Sequence, residues 1–193
     1  MRQDSRVKTR LSIGGLRRYP AQKNMTEKFS KYVADAMVNA TEEARSRNHD
    51  YLCSEHIFLG LMKTGGGVIQ QLLDHFAITS EMVIDQIDQI SQKGNMGEKG
   101  VPRDCSFPKT ACAKTTLEIG KLESAKNGRS EIGQYDLMIG LLHEPRESLA
   151  IPGHQERMCK LPTVVTQALN NTGLDLESAR EFVRGLLPSR KNE

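Results

Sequence analysis

The sequence contains no tryptophan, and only 5% of its residues are aromatic. Its core therefore has to be filled by aliphatic side chains and methionine, which still suits a soluble globular chain of 37% hydrophobic and 26% charged residues. No apolar run approaches the roughly 20 residues that cross a bilayer, and the N-terminus has no apolar h-region, so neither a membrane span nor a secretory signal is expected. The expected compartment is the cytoplasm. The four cysteines (Cys53, Cys105, Cys112, Cys159) include no C-x-x-C pair, and a chain of 193 residues needs no covalent staple, so free thiols are expected. Cys105 and Cys112 are the two that invite a redox pairing, but no neighbour suggests an activated thiolate. No G-x-x-x-x-G-K-[ST] phosphate loop occurs, which sets ATP hydrolysis aside. His49, His75, His143 and His154 fall at no metal-ligand spacing, so no metal and no cofactor are expected.

Acidic residues are nearly missing from the first 24 positions. Arg2, Arg6, Lys8, Arg10, Arg17, Arg18 and Lys23 face Asp4 alone, so residues 1–24 carry +6 and the remainder −3 of the +3 total. Such an arm reads as a solvated, disordered extension. It would also serve as a contact for nucleic acid or an acidic protein, or as a leader to an organelle matrix.

Beyond the tail, Phe29, Val33, Ala36, Met37, Ala40 and Ala44 recur at three- and four-residue intervals, which predicts an amphipathic helix over Thr26–Arg47. Ser54 is the expected cap of a second helix, apolar on most sides and therefore buried, through Ile57, Phe58, Leu59, Leu61 and Met62. Gly65, Gly66 and Gly67 break the chain before a third, and Thr79 or Ser80 starts a fourth. Residues 92–107, rich in glycine and charge, read as a linker.

The chain then repeats itself. A shift of 80 places Leu117 on Met37, Glu123 on Glu43, Ile132 on Leu52, Leu137 on Ile57, Gly140 on Gly60 and Leu141 on Leu61. After an extra segment at 143–162, a shift of 96 pairs Val164 with Val68, Leu169 with Leu73 and Val183 with Ile87. Four short helices can rarely cover their own apolar faces. The expected fold is accordingly all-α, two pseudo-symmetric four-helix repeats (25–91 and 108–187) packed as one domain, with a short tail at 188–193. Gly60 and Gly140 stand mid-helix, where glycine costs about 1 kcal/mol against alanine, and are expected to let helices cross closely.

The run L-C-S-E-H-I-F-L-G-L at Leu52–Leu61, preceded by E-E-A-R at Glu42–Arg45, closely resembles the repeat of the N-terminal domain of Clp ATPases, of the ClpC and ClpA type. The likeness covers roughly residues 25–187 and both repeats, and it implies the double Clp-N fold. In that family the domain sits on a hexameric AAA+ unfoldase and receives adaptors and substrates for the ClpP protease. The resemblance implies a non-catalytic, accessory or adaptor-like module, without a motor of its own, whose partners are a Clp ATPase, a ClpP-type protease core, an adaptor or a substrate.

It also implies a ligand. In the ClpC type, a glutamate of the T-E-H motif and a threonine opening the repeat's first helix belong to sites for phosphoarginine, and the corresponding residues here are Glu55 and Ser30. A carboxylate can grip a guanidinium while a hydroxyl and helix N-terminal N–H groups suit its phosphate. In the second repeat Thr110 remains, but Tyr135 and Asp136 replace the glutamate and histidine, and the basic residue expected near each first helix is changed to Tyr32 and Cys112. That second site is expected to be dead.

Ser54, Glu55 and His56 form no relay among themselves, because consecutive helical residues point about 100 degrees apart, and no catalytic residue is assigned. The insertion at 143–162 has no counterpart in the first repeat, which marks His143, Arg146, His154 and Arg157 as candidate partner contacts. The alternative reading makes the protein a regulatory helical platform that touches nucleic acid through its basic tail; the resemblance favours protein partners, and no membrane is involved.

Overall fold

The computed structural model describes residues 28–92, 94, 107–143 and 162–187. Eight helices form within them: α1 Lys31–Ser46, α2 Ser54–Thr64, α3 Gly67–His75, α4 Ser80–Ile90, α5 Ala111–Lys126, α6 Gln134–Leu141, α7 Val164–Asn171 and α8 Leu176–Gly185. No strand forms among the described residues. None of the helices there is long and apolar enough to cross a membrane. The basic tail, most of the 92–107 linker, the C-terminal residues 188–193, and Arg146, His154 and Arg157 of the insertion lie outside the described residues.

The duplicated register holds in space. Helices α5 and α6 begin 80 positions after α1 and α2, and α8 begins 96 after α4, as the sequence shifts require. Buried residues of both halves, among them Val33, Phe58, Leu72, Leu117, Leu137 and Leu169, join one aliphatic core. Within each half the first two helices cross at a glycine. A Cβ on Gly60 would lie 2.3 Å from the Ala36 carbonyl oxygen, and one on Gly140 would lie 2.2 Å from that of Thr116. Ala36 and Thr116 are themselves 80 apart, so the same close backbone approach was built twice.

Helix α1 starts later than its apolar stripe predicts. Ser30 is the N-cap, with extended dihedrals and a hydroxyl accepting from the Val33 N–H at 3.4 Å, and Phe29 is drawn into a parallel bridge with Ile132. The mate of that bridge joins Leu52 to Lys109. Each bridge binds the residues before the first helix of one repeat to those before the second helix of the other. The α2–α3 turn at Gly65, Gly66 and Gly67 has positive φ at all three residues, which side chains rarely tolerate. The Tyr32 hydroxyl donates to the Gly65 and Gly66 carbonyls at 3.2 Å, and Gln134 of the other repeat accepts from the Val68 N–H at 3.0 Å.

The expectation of four free thiols fails at Cys112, which is disulfide-bonded. Cys53 is free.

Candidate functional site

The two bridges decide which candidate residues meet. The Leu52 N–H donates to the Pro108 carbonyl at 2.9 Å and the Thr110 N–H to the Leu52 carbonyl at 3.0 Å, which lays the start of α2 against the start of α5. Thr110 caps α5 by accepting from the Ala113 N–H at 3.2 Å. Cys53 stands between the two helix ends. Its thiol lies close to the Glu55 carboxylate and the Thr110 hydroxyl. Burial, with the nearby Glu55 charge, pushes that thiol up to about 12, so it stays protonated and unreactive near neutral pH. Glu55, 6% exposed, also accepts from the Ser54 hydroxyl at 3.4 Å.

Ser30 belongs to the opposite junction. Its N–H donates to the Ile132 carbonyl at 3.1 Å, which sets it near the start of α6, where Tyr135 occupies the position of Glu55. The structure thus lays the start of α2, which carries Glu55, against the start of α5, which Thr110 caps, across the repeats, where the sequence pairs Glu55 with Ser30 inside one. The junction of Glu55 combines a carboxylate with a capped helix N-terminus. The junction of Ser30 has a tyrosine instead of the carboxylate. Neither of the residues at the expected basic positions supplies a cation: Tyr32 is spent on the glycine turn and Cys112 on its disulfide. His143 is half-buried just past the end of α6.

Helix α2 is capped otherwise than expected. Cys53 is the N-cap residue and Ser54 lies inside the helix; the reciprocal contact comes from His56, whose Nδ1 accepts from the Cys53 N–H at 3.0 Å. In the second repeat Asp136 does the same for the Gly133 N–H at 2.9 Å. Behind these caps lies a buried pair that sequence reading passed over. His56 Nε2 meets His49 Nδ1 at 2.8 Å, and 80 positions on Asp136 meets Arg129. The shared seven-residue spacing, H-x6-H against R-x6-D, was the available signal. Among the described residues no group of three or more histidine, cysteine or acidic side chains could hold a metal.

Residues 28–151 match the family described as the Clp repeat (R) N-terminal domain. The chain belongs to that family. Its relatives include "Negative regulator of genetic competence ClpC/MecB" of Bacillus subtilis (strain 168), 26% identical over 167 residues, covering 86% of this chain and 18% of the relative. Another is "Chaperone protein ClpC2, chloroplastic" of Oryza sativa subsp. japonica, 31% identical over 122 residues, covering 63% of this chain and 13% of the relative. The chain spans less than a fifth of the length of these curated relatives. Among solved structures, the N-terminal domain of ClpD from Arabidopsis thaliana superposes with a TM-score of 0.58 at 17% identity, over 86% of this chain and 98% of that one. The Hsp104 N-terminal domain from Candida albicans gives 0.62 at 14% identity, over 85% and 94%. These likenesses share the double Clp-N fold with this Clp N-terminal domain. The relatives are ClpC, ClpB and ClpA-type proteins, and this chain matches a short part of each.

Proposed function

We propose that the chain is a non-catalytic, accessory or adaptor-like module of the Clp chaperone and protease system, acting in substrate or adaptor recognition in the cytoplasm or an organelle matrix. Its partners in this reading are a Clp ATPase, a ClpP-type core, an adaptor or a substrate. The working body is the pair of repeats at 25–91 and 108–187, and the segments at 1–24 and 143–162, with His143, Arg146, His154 and Arg157, add partner-specific contacts.

The observation that supports the reading, beyond family membership, is the backbone bridge that lays the start of α2, which carries the buried Glu55, against the Thr110-capped start of α5. A phosphorylated arginine presents complementary charges to such a junction: guanidinium to the carboxylate, phosphate to the helix N–H groups and the Thr110 hydroxyl. Glu55 is buried and accepts from the Ser54 hydroxyl, so the guanidinium has to replace that contact. Ser30 stands at the junction without a carboxylate, and the proposed ligand residues are therefore Glu55 and Thr110.

Two measurements on the full chain test this. Affinity capture from the native host should recover Clp components, and their absence refutes membership in the system. Calorimetry with a phosphoarginine-containing peptide should show binding that falls about tenfold or more in Glu55→Gln, the loss expected for a charge-assisted hydrogen bond of about 1.5–3 kcal/mol. Equal affinity in the variant removes Glu55 from the ligand site.

A further inference from the structure

The first repeat holds two imidazoles in contact where the second holds an arginine and an aspartate. His56 is wholly buried and His49 is 3% exposed. The hydrogen bonds around them admit one arrangement of protons. His56 Nδ1 accepts from the Cys53 N–H, so the proton of a neutral His56 ring sits on Nε2 and is donated to His49 Nδ1. His49 then carries its proton on Nε2 and donates it to the Gln92 carbonyl at 2.8 Å. Every contact is satisfied with both rings neutral. An added proton has no place: on His56 Nδ1 it would face the Cys53 N–H, and on His49 Nδ1 it would face the His56 N–H.

The last acceptor in this chain belongs to the segment that leaves α4. Two residues further, the Gly94 N–H donates to the Arg47 carbonyl at 3.2 Å, and a Cβ on Gly94 would lie 1.9 Å from the Asn48 carbonyl oxygen. Gln92 and Gly94 are thus strapped onto the α1–α2 turn through His49 and Arg47.

We propose that the His49–His56 pair is an acid-sensitive clasp: neutral, it holds the segment leaving α4 against the α1–α2 turn, and protonated, it releases that segment while the second repeat, closed by Arg129 and Asp136, stays shut.

The charged surroundings set the balance. Arg47 at the end of α1 opposes a positive imidazole, and it is engaged by Glu43 at 3.8 Å and by Asp88 of α4 at 2.5 Å. Asp50 and Tyr51 flank His49 in the turn, with Tyr51 stacked on its ring at 5.1 Å, and Cys53 and Glu55 lie at the start of α2. Burial, then His49 and Arg47, hold His56 down to about 3. An open form in which His56 meets water regains the ordinary value near 6.5. Below that pH the open form takes up a proton that the closed form refuses, so closure is complete above about pH 6.5 and is lost as pH falls toward 3. Between pH 7 and pH 5 the linkage from His56 alone raises the opening constant on the order of 20-fold. Guanidinium and carboxylate groups ordinarily titrate outside that interval, so the second repeat lacks the response.

Amide hydrogen exchange on the full chain, corrected for the intrinsic pH dependence, reads the opening directly. The Gly94 and Cys53 amides are expected to lose protection on the order of 20-fold from pH 7 to pH 5, while the Gly133 amide, bound to Asp136, keeps its own. The double variant His49→Arg/His56→Asp copies the ion pair of the second repeat and is expected to keep Gly94 protected at both values. Unchanged Gly94 protection in the wild-type chain, or the same acid response in a folded double variant, overturns the clasp. Should the double variant fail to fold, imidazole nitrogen shifts of the wild-type chain decide: both rings must carry the proton on Nε2 at pH 7 and charge together with the loss of Gly94 protection. Independent titration of the two rings near 6.5 refutes it.

Discussion

Replacing Gly60 by alanine puts the helix-crossing geometry to the most demanding test. The added methyl carbon would stand 2.3 Å from the Ala36 carbonyl oxygen and 2.6 Å from the Ala40 nitrogen. Ordinary carbon–oxygen contacts begin near 3.3 Å, so α1 and α2 have to part by about 1 Å. The obstructing atoms are backbone and cannot rotate aside, which places the cost at the upper end of the range for overpacking, about 3 kcal/mol. Helix propensity returns about 1 kcal/mol of that, leaving a net loss of about 2 kcal/mol. For a chain of this size that corresponds to a melting temperature lower by about 4–8 °C. Gly140→Ala is expected to behave alike, because the Thr116 carbonyl oxygen lies 2.2 Å from its Cβ position. Gly185→Ala is the control: nothing lies within 4 Å of it, so the propensity gain of up to about 1 kcal/mol stands alone. Thermal and urea unfolding followed by circular dichroism measure all three. A Gly60→Ala or Gly140→Ala chain as stable as the parent would refute the close crossing, as would an equal loss in Gly185→Ala.

Ala77 ends α3 with φ of 52°, and the matching residue of the second repeat is Gly173, with φ of 88°. Ala77→Gly relieves the left-handed strain at some cost in unfolded-chain entropy, and a gain of up to about 1 kcal/mol is expected in urea unfolding; destabilisation would count against that backbone conformation. Phe182 of α8 stacks on His75 of α3 at 4.0 Å between ring centroids and meets Phe76 edge-on at 6.1 Å, so it ties the two repeats together. Phe182→Ala, at a half-buried site, is expected to lower the stability of the whole chain by about 2 kcal/mol in one cooperative transition. Separate transitions for the two halves, in the parent or the variant, would show that the core is not shared.

Much of this architecture was legible because the helices are amphipathic or wholly apolar and the copies keep their register: Val33, Ala36, Ala40 and Ala44 are all fully buried, and the glycines at 60 and 140 sit where helices touch. The errors came where long-range partners outrank local pattern. Phe29 fits the stripe of α1, yet the backbone of Ile132 pulls it into a bridge and delays the helix to Lys31. Ser54 is a favourable cap residue, but His56 reaches back to the Cys53 N–H and moves the helix start. The meeting of the α2 start with the α5 start depends on how two repeats interlock, which no spacing within either repeat encodes. Cys112, one of the two cysteines that invite a pairing by sequence, is disulfide-bonded although no neighbour suggests an activated thiolate.

The paired bridges, Phe29 with Ile132 and Leu52 with Lys109, bear on how such a chain arose. Each half finishes the helix starts of its twin, so in a single-repeat ancestor a second copy of itself would have met those backbone groups in place of water. Gene duplication and fusion would then have turned a homodimer's symmetry axis into an internal one. Once joined, the copies were free to diverge singly, and a histidine pair on one side now faces an ion pair on the other.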